Sequence, residues 1–307
     1  MQIGFCLPQM GPQATRENLV RVAKRAEELG YDSLWVLERL LWPISPKAPY
    51  PPTPDGSLPE VYQNVFDPVE TLTFVSAITT NIKLGTSIII MPCHNPVIMA
   101  RRLATLDVLS NGRLILGVGL GWSPDEFEAA GVPFERLGAR GDEFLQVLKE
   151  IWTEDVAEFN GEFFHLPKSK IGPKPVQNPH PPIYVGGFTP KTLERVVKYA
   201  NGWNPAGGDF NYLTASIKSL RDMAKQMSRD PDEIKVALRT LPRILDSKGA
   251  ADRGPVVGTL DEIRSDIQRF AEIGIDHLFF DLNFSLQGGN IMPMLDAMEQ
   301  LIQVARI

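Results

Sequence analysis

The chain has 307 residues, of which 43% are hydrophobic, and a formal net charge of −6. At this length roughly three quarters of the unfolded surface can be buried, and we expect residues 1–307 to form a single domain. The chain carries no Lys/Arg cluster for nucleic acid or an anionic membrane surface, and no run of ~20 apolar residues for a bilayer. Two cysteines, Cys6 and Cys93, and an N-terminus without leader character predict a cytoplasmic protein.

Segments of strand and helix periodicity alternate along the whole chain. Strands are predicted over residues 2–7, 33–37, 82–91, 113–119, 182–185, 202–204, 234–241 and 277–282. Helices are predicted over residues 15–29, 67–79, 95–109, 135–152, 190–199, 210–227, 259–273 and 291–304. Eight strand–helix units in about 300 residues are typical of an α/β fold of the (β/α)8 TIM barrel type. An open doubly wound sheet is the second choice, because no Gly-x-Gly-x-x-Gly follows the first strand.

Three longer segments interrupt this alternation. Residues 39–66 follow strand 2 and are rich in proline, residues 153–181 precede strand 5, and residues 242–258 follow strand 7. The middle segment includes a hairpin predicted over residues 157–166, with its turn at Asn160 and Gly161. Loops that follow strands lie on the catalytic face of a barrel, so the first and third insertions are candidate lids. The alternative is that they only decorate the surface.

A glycine-rich turn between strand 5 and its helix is the strongest chemical signal. Gly186 and Gly187 end the strand, Phe188 follows, and Thr189 and Pro190 suit the N-cap and first position of a helix. Free N–H groups and the helix dipole favour an anion at such a turn, and glycine lets the ligand approach closely. The sequence therefore predicts a phosphate site. A tight turn that needs glycine only for its conformation remains an equal alternative.

A second glycine-rich segment ends strand 4. Glycines at positions 117, 119 and 121 flank Val118 and Leu120. Alternate glycines leave room for a flat ligand against the backbone, or they serve close packing of the barrel.

Several motifs, taken in chain order, resemble those of the luciferase-like monooxygenase superfamily, and within it the branch that uses the deazaflavin coenzyme F420. The matching segments are residues 3–5 (IGF), 30–36 (GYDSLWV), 82–87 (IKLGTS), 95–101 (NPVIMAR), 106–114 (LDVLSNGRL), 116–121 (LGVGLG), 181–187 (PPIYVGG) and 257–263 (VGTLDEI). They span nearly the whole chain. The resemblance implies a TIM barrel that binds F420, with FMN as the alternative cofactor.

The resemblance also implies where the cofactor lies. Its phosphate would contact Gly186, Gly187, Phe188 and Thr189, and its ring would lie near Gly119, Leu120 and Gly121. A cis peptide that does not involve proline, between Ser87 and Ile88, would support the ring. The family often forms homodimers through the helices after strands 2 and 3, here residues 67–79 and 95–109.

Candidate catalytic residues follow strands 2 and 3. Glu38 is a possible proton donor, or it pairs with Arg39 or another cation. His94 is a candidate acid or base, although a solvent-facing histidine is the more common case. Arg39 would hold an anion of the cofactor or substrate.

Other residues on the same face are expected to contact an apolar small-molecule substrate: Trp42, Trp122 and Asn204. Relatives that oxidise sugar phosphates or alcohols carry an Asp-His or similar pair where this chain has Glu38 and Arg39. The sugar-phosphate enzymes also carry a Glu where it has Trp122. Trp122 cannot exchange a proton, so we expect no dehydrogenation of glucose 6-phosphate.

The expected function is hydride transfer between F420 and an apolar organic substrate. The alternatives are a monooxygenase that uses reduced FMN and O₂, and a barrel that binds a flavin or deazaflavin without catalysis. No metal site is predicted, because the four histidines are scattered.

Overall fold

The structure is a computed structural model that describes residues 1–285 and 288–306. The barrel strands are β1 (Gln2–Cys6), β2 (Ser33–Val36), β3 (Lys83–Thr86), β4 (Leu114–Gly119), β5 (Ile183–Val185), β6 (Gly202–Trp203), β7 (Lys235–Thr240) and β8 (His277–Phe280). The helices are α1 (Arg16–Leu29), α2 (Pro68–Ser76), α3 (Pro96–Leu109), α4 (Pro124–Ala129), α5 (Leu137–Thr153), α6 (Pro190–Tyr199), α7 (Phe210–Gln226), α8 (Leu260–Glu272) and α9 (Met292–Ala305).

The eight strands form one closed parallel sheet. Each strand pairs with its neighbour in chain order, and β8 pairs with β1. β3 closes the ring, because it pairs with β2 on one side and with Leu114 and Ile115 of β4 on the other. The predicted TIM barrel is therefore confirmed. All carboxyl ends of the strands, and the loops that follow them, meet at one face.

Two apolar layers lie on opposite sides of the sheet. A large cluster fills the space between the strands and the helices, and a smaller one fills the barrel itself. In the smaller cluster the rings of Trp35 and Phe279 stack with their centroids 4.1 Å apart. A Cβ atom at Gly85 would lie 2.5 Å from Cε3 of Trp35. A glycine on β3 therefore makes room for the indole that fills the barrel.

The main difference from the predicted elements is in strand 3. The sequence predicts one strand over residues 82–91, but β3 ends at Thr86 and pairing resumes only at Ile89–Ile90, followed by a 3₁₀ turn at Met91–Cys93. The peptide bond between Ser87 and Ile88 is cis, as the family resemblance implied. The amide of Ser87 still donates to Val36 O (2.6 Å), so the segment bulges without leaving the sheet.

The insertions contain short elements. The hairpin pairs Ala157–Asn160 with His165–Ser169, so its second strand runs past the predicted end at residue 166. In the insertion after β7, Arg243–Ile244 pairs in parallel with Val257–Gly258. Helix α4 lies between β4 and α5 and was not predicted. No helix of the described residues is long and apolar enough to cross a membrane.

A buried histidine lies at the amino-terminal end of the barrel. Nε2 of His277 lies 2.6 Å from Oγ of Ser33, and Oγ also accepts a hydrogen bond from the indole N–H of Trp35 (2.7 Å). Burial, with smaller contributions from Lys83 and the N-terminal amine, lowers the pKa of His277 to about 3. The imidazole is therefore neutral in the folded protein at neutral pH.

Acid is expected to destabilise the protein through His277. In the unfolded chain this side chain takes up a proton below about pH 6.5, whereas the folded state does so only near pH 3, so stability falls as the pH drops through this window. The loss is about 2 kcal/mol between pH 6.5 and pH 5. Urea unfolding at both pH values should show a smaller loss in His277→Gln. The exposed control His165→Gln should behave as the parent. An equal loss in His277→Gln would contradict this.

Candidate functional site

The glycine-rich turn at residues 186–189, called the anion turn below, lies at the carboxyl-terminal face of the barrel. It connects β5 to the N-terminus of α6, and Thr189 caps that helix by accepting a hydrogen bond from the amide of Thr192 (3.2 Å). Gly187 has a φ of +134°, a conformation that L side chains rarely adopt. The carbonyl of Gly187 accepts a hydrogen bond from the buried indole of Trp203 (2.8 Å). A buried side chain of the barrel thus holds the turn in place.

The amides of the anion turn differ in their availability. The N–H of Gly186 donates to Val118 O (2.7 Å) and belongs to the sheet. Among the residues that the structure describes, no acceptor receives a hydrogen bond from the N–H of Gly187, Phe188 or Thr189. Phe188 and Thr189 are exposed and Gly187 is half-buried. Three unused donors at an open helix N-terminus fit an oxyanion.

The bulge after β3 lies beside this turn. A Cβ atom at Gly119 would lie 2.8 Å from Cδ1 of Ile88, and one at Gly186 would lie 2.9 Å from Cγ2 of the same side chain. At Gly121 a Cβ would meet Ile90 (2.7 Å). Side chains of this chain therefore fill the space that these glycines leave, and a flat ligand would meet Ile88 rather than the strand-4 backbone. Leu120 is half-buried and packs toward α5, since a Cβ atom at Gly141 would contact its Cδ2.

The two candidate catalytic residues form a pair. Oε1 of Glu38 lies 2.7 Å from Nε2 of His94, and Oε2 accepts a hydrogen bond from the amide of Ile90 (2.6 Å). The side chain of Glu38 is 9% exposed and that of His94 is 21% exposed. Glu38 follows β2 and His94 follows the bulge of β3, so the adjacency of these strands brings the two together. The pair is positioned by the backbone and remains accessible at the imidazole.

Arg39 does not pair with Glu38. Its guanidinium forms an ion pair with Glu126 of α4 (3.4 Å) and lies over the rings of Tyr62 (5.1 Å) and Trp122 (5.0 Å). Both charged side chains are buried, at 5% and 0% exposure. Burial raises the pKa of Glu126, and the charge of Arg39 opposes that rise. Among the described residues Nε and Nη2 of Arg39 are buried without a hydrogen-bond partner, so its role as an anion ligand stays a prediction.

Residues 39–66, called the lid below, fold over the barrel mouth. Leu58 and Tyr62 of the lid form an apolar cluster with Met10 and Leu37 of the barrel rim, and four aromatic side chains pack against it: Trp42, Tyr50, Trp122 and Phe284. The lid is also attached to α4: the amide of Leu40 donates to Glu126 (2.7 Å), and Nζ of Lys47 lies 2.6 Å from Glu128. Trp42 therefore belongs to the lid and Trp122 to the surface on which the lid packs.

Two charged residues of the site escaped the sequence analysis. Nε of Arg239, on β7, donates to Oδ2 of Asp281 (2.9 Å), which follows β8 and is 1% exposed. Oδ1 of Asp281 accepts hydrogen bonds from the backbone and side-chain N–H groups of Asn283 (2.9 and 2.8 Å). Burial and then the charge of Asp281 raise the pKa of the Cys6 thiol well above its usual value. The thiol is therefore protonated at neutral pH.

Asn204 lies inside the barrel rather than at its surface. Its side-chain N–H donates to Ala237 O (2.7 Å), and it is 2% exposed. Within residues 1–285 and 288–306, its buried Oδ1 has no hydrogen-bond partner. The free amides of the anion turn and the half-buried side chain of Ile88 give the barrel mouth donors for a phosphate and an apolar support, and the unpartnered acceptor of Asn204 lies next to Gly117 inside the barrel. These residues fit a flavin-type cofactor. No group of three or more His, Cys, Asp or Glu side chains in residues 1–285 and 288–306 is arranged to hold a metal ion.

Known proteins resemble this chain in sequence and in fold. A protein of Mycobacterium tuberculosis, described only as uncharacterized, is 34% identical over 262 residues, which are 85% of each chain. An F420-dependent glucose-6-phosphate dehydrogenase of Amycolatopsis mediterranei is 33% identical over 75% of this chain and 66% of its own. An FMNH₂-dependent dimethylsulfone monooxygenase of Pseudomonas putida is 31% identical over 48% of this chain and 41% of its own.

Solved structures agree on the architecture. An F420-dependent secondary alcohol dehydrogenase superposes with a TM-score of 0.79 at 19% identity, covering 100% of this chain and 99% of the other. The monooxygenase RslO1 of Streptomyces bottropensis gives 0.77 at 21% identity, covering 99% and 97%. The luciferase-like monooxygenase family matches residues 1–254. This chain therefore belongs to the luciferase-like monooxygenase family.

Proposed function

We propose that the protein is an F420-dependent oxidoreductase that transfers a hydride between the deazaflavin and an apolar organic substrate. The observation that carries the proposal is the anion turn, with three unused amides on the face where the strands end, next to the bulge at Ile88. A cofactor phosphate is an anion that such a turn binds well. The membership in the luciferase-like family supports a redox role for whatever binds there.

The chain's own residues would hold the cofactor as follows. The amides of Gly187, Phe188 and Thr189 would bind the phosphate, and Ile88 would support one face of the ring. When bound, the deazaflavin supplies or accepts a hydride at its C5 atom. The lid would exclude water from the mouth, because Leu58 and Tyr62 pack it onto Met10 and Leu37 of the barrel rim.

Proton transfer would fall to Glu38 and His94. The two side chains share a hydrogen bond of 2.7 Å, and the amide of Ile90 fixes the other oxygen of Glu38. An imidazole oriented in this way can deliver a proton from Nδ1 or return one to it, while Glu38 stabilises its charged form. Two candidate acid–base residues in contact, each of which follows one of two adjacent strands, are an arrangement that suits proton transfer.

FMN is the alternative cofactor, and the similarity to the dimethylsulfone monooxygenase favours it. We prefer F420, because the match to the F420-dependent dehydrogenase extends over 75% of this chain rather than 48%. We do not expect glucose 6-phosphate to be a substrate. Trp122, whose ring lies 5.0 Å from the guanidinium carbon of Arg39, cannot exchange a proton with it.

We further propose that the protein acts in the cytoplasm as a homodimer. Helices α2 and α3 pack against each other, and Ile98 and Leu109 of α3 are 61% and 60% exposed. Large apolar side chains so exposed on one helix favour a second copy as their cover. Both cysteines are free thiols, as a reducing compartment allows.

A cofactor titration tests the proposed function. Purified protein is titrated with F420 and separately with FMN, and tryptophan fluorescence is followed. We expect F420 to bind about tenfold more tightly or better. Tighter binding of FMN, with O₂ consumption when reduced FMN is supplied, would support the monooxygenase instead. Binding of F420 without oxidation or reduction by any of a panel of ketones, aldehydes and imines would support the non-catalytic alternative.

Gly187→Ala is expected to weaken the binding of F420 by about tenfold or more. A Cβ atom at this position would lie 2.7 Å from Oγ1 of Thr192, and the φ of +134° adds strain of about 1–3 kcal/mol. The turn must therefore rearrange, and the positions of its free amides change. Gly131→Ala is the matched control, since Gly131 also has a positive φ (+68°) but, apart from its chain neighbours, no described residue has an atom within 4 Å of the added Cβ. Equal F420 affinities of the two variants would show that the anion turn does not bind the cofactor.

A further inference from the structure

Two carbonyl groups of the anion turn accept hydrogen bonds from aromatic side chains. The indole N–H of Trp203 donates to Gly187 O (2.8 Å), and the phenol of Tyr212 donates to Phe188 O (2.9 Å). The two donors come from different parts of the chain: Trp203 lies on β6, whereas Tyr212 lies in the first turn of α7. Two successive carbonyls of the turn are thus each held by a separate side chain.

The geometry of the peptide group transmits this restraint to the free amides. A trans peptide group is planar, so its C=O and N–H bonds point in opposite directions. The carbonyl of Gly187 shares a peptide group with the N–H of Phe188, and the carbonyl of Phe188 shares one with the N–H of Thr189; both peptide bonds are trans. The indole of Trp203 therefore sets the direction of the Phe188 N–H, and the phenol of Tyr212 sets that of the Thr189 N–H.

The position of Tyr212 is itself fixed by the start of α7. Its amide donates to Oδ1 of Asp209, the N-cap of that helix (2.8 Å). Its ring lies near that of Phe188, with the centroids 6.1 Å apart. Tyr212 is half-buried, whereas the side chain of Phe188 is 50% exposed. Tyr212 thus joins the loop after β6 to the exposed part of the anion turn.

The phenol also makes the amide a better donor. A hydrogen bond to a carbonyl oxygen polarises the peptide group, and the N–H at its other end then binds an acceptor more strongly. Among the described residues, no other group donates to Phe188 O. Without the phenol, the peptide group between Phe188 and Thr189 would therefore be free to rotate, and its N–H would lose its fixed direction.

We propose that Tyr212 is a positioning residue for the cofactor phosphate, which orients the Thr189 N–H without contacting the phosphate itself. The proposal rests on the proposed function, because it takes the anion turn as the phosphate site. It adds a side chain from α7 to a site built from the loop after β5. The affinity for a cofactor that carries a phosphate then depends on the hydroxyl of Tyr212, whereas the affinity for the same ring without phosphate does not.

Fluorescence titrations of Tyr212→Phe with two pairs of ligands test this role. One pair is F420 and the deazaflavin riboside without its phosphate and tail; the other is FMN and riboflavin, which differ in the phosphate alone. The variant keeps the ring beside Phe188 but loses the hydroxyl. It should bind F420 about fivefold more weakly than the wild type, and the riboside equally well.

Tyr199→Phe is the matched control. Tyr199 is also half-buried, and its hydroxyl donates to no acceptor within residues 1–285 and 288–306. Its variant should bind all four ligands as the wild type does.

Two results would overturn the role of Tyr212. They are an unchanged F420 affinity in Tyr212→Phe, and an equal weakening of F420 and the riboside, which would indicate an effect on the ring or on the fold. A wild type that prefers FMN would instead refute the choice of F420 in the proposed function, and the affinities of Tyr212→Phe for FMN and riboflavin would then decide the role of Tyr212 by the same two criteria. A wild type that binds neither cofactor more tightly than its phosphate-free counterpart would overturn both proposals.

Discussion

Arg239→Gln is expected to lower the free energy of unfolding by about 3–5 kcal/mol. The substitution removes the cation beside Asp281, whose side chain is 1% exposed and whose Oδ2 then loses its charged partner. A carboxylate left alone in the barrel must stay charged without compensation or take up a proton, and both states are unfavourable. Urea unfolding at neutral pH measures the loss.

The double variant R239Q/D281N separates this explanation from lost packing. It removes both charges of this ion pair, and the amide oxygen at position 281 can still accept the two hydrogen bonds from Asn283. Most of the stability should therefore return. A double variant as unstable as the single one would show that the shape of the Arg239 side chain, and not the unpaired charge, explains the loss.

Glu38→Gln is expected to lower turnover by about 10²–10⁴-fold while F420 affinity stays unchanged. The amide keeps the size of the side chain and can still bond to the amide of Ile90, but it cannot exchange a proton with His94 or balance its charged form. The rate is measured by following cofactor absorbance with a carbonyl substrate that the wild type converts.

The behaviour of His94 completes this test. His94→Gln should lower turnover by a similar factor, and the double variant should be no slower than either single variant, because the two residues act as a unit. Glu158→Gln, an exposed carboxylate on the hairpin, is the matched control and should retain full activity. Full activity in His94→Gln would mean that Glu38 does not act through the imidazole.

Much of the fold follows from the sequence because local signals agree with the packing. The helix N-caps Thr15, Asp67, Asn95 and Thr189 each accept a backbone hydrogen bond as their residue types predict. Strand 3 was predicted as continuous because its β-branched run shows only propensity. Its interruption depends on a contact that no local pattern reveals, the packing of Ile88 against glycines of two later strands.

The site was predictable where strand order alone brings residues together. Glu38 and His94 follow adjacent strands, so their contact is a consequence of the barrel. The partner of Arg39 was missed because Glu126 lies on α4, a six-residue helix that the glycine-rich turn before it obscured. Arg239 and Asp281 lie within the strands predicted over residues 234–241 and 277–282, and neither was predicted as a site residue. A single arginine that directly follows the apolar residues 236–238 of a strand is the signal that would have indicated a buried ion pair.

The rim of the barrel is shared between two arcs with separate supports. The anion turn lies between β5 and α6 and is held by a hydrogen bond from Trp203 of β6. The lid is held by a hydrogen bond from Leu40 to Glu126 of α4. Lineages that descend from such a barrel can accumulate changes in one arc without disturbing the other. Changes in the lid would then leave the contacts that hold the anion turn in place.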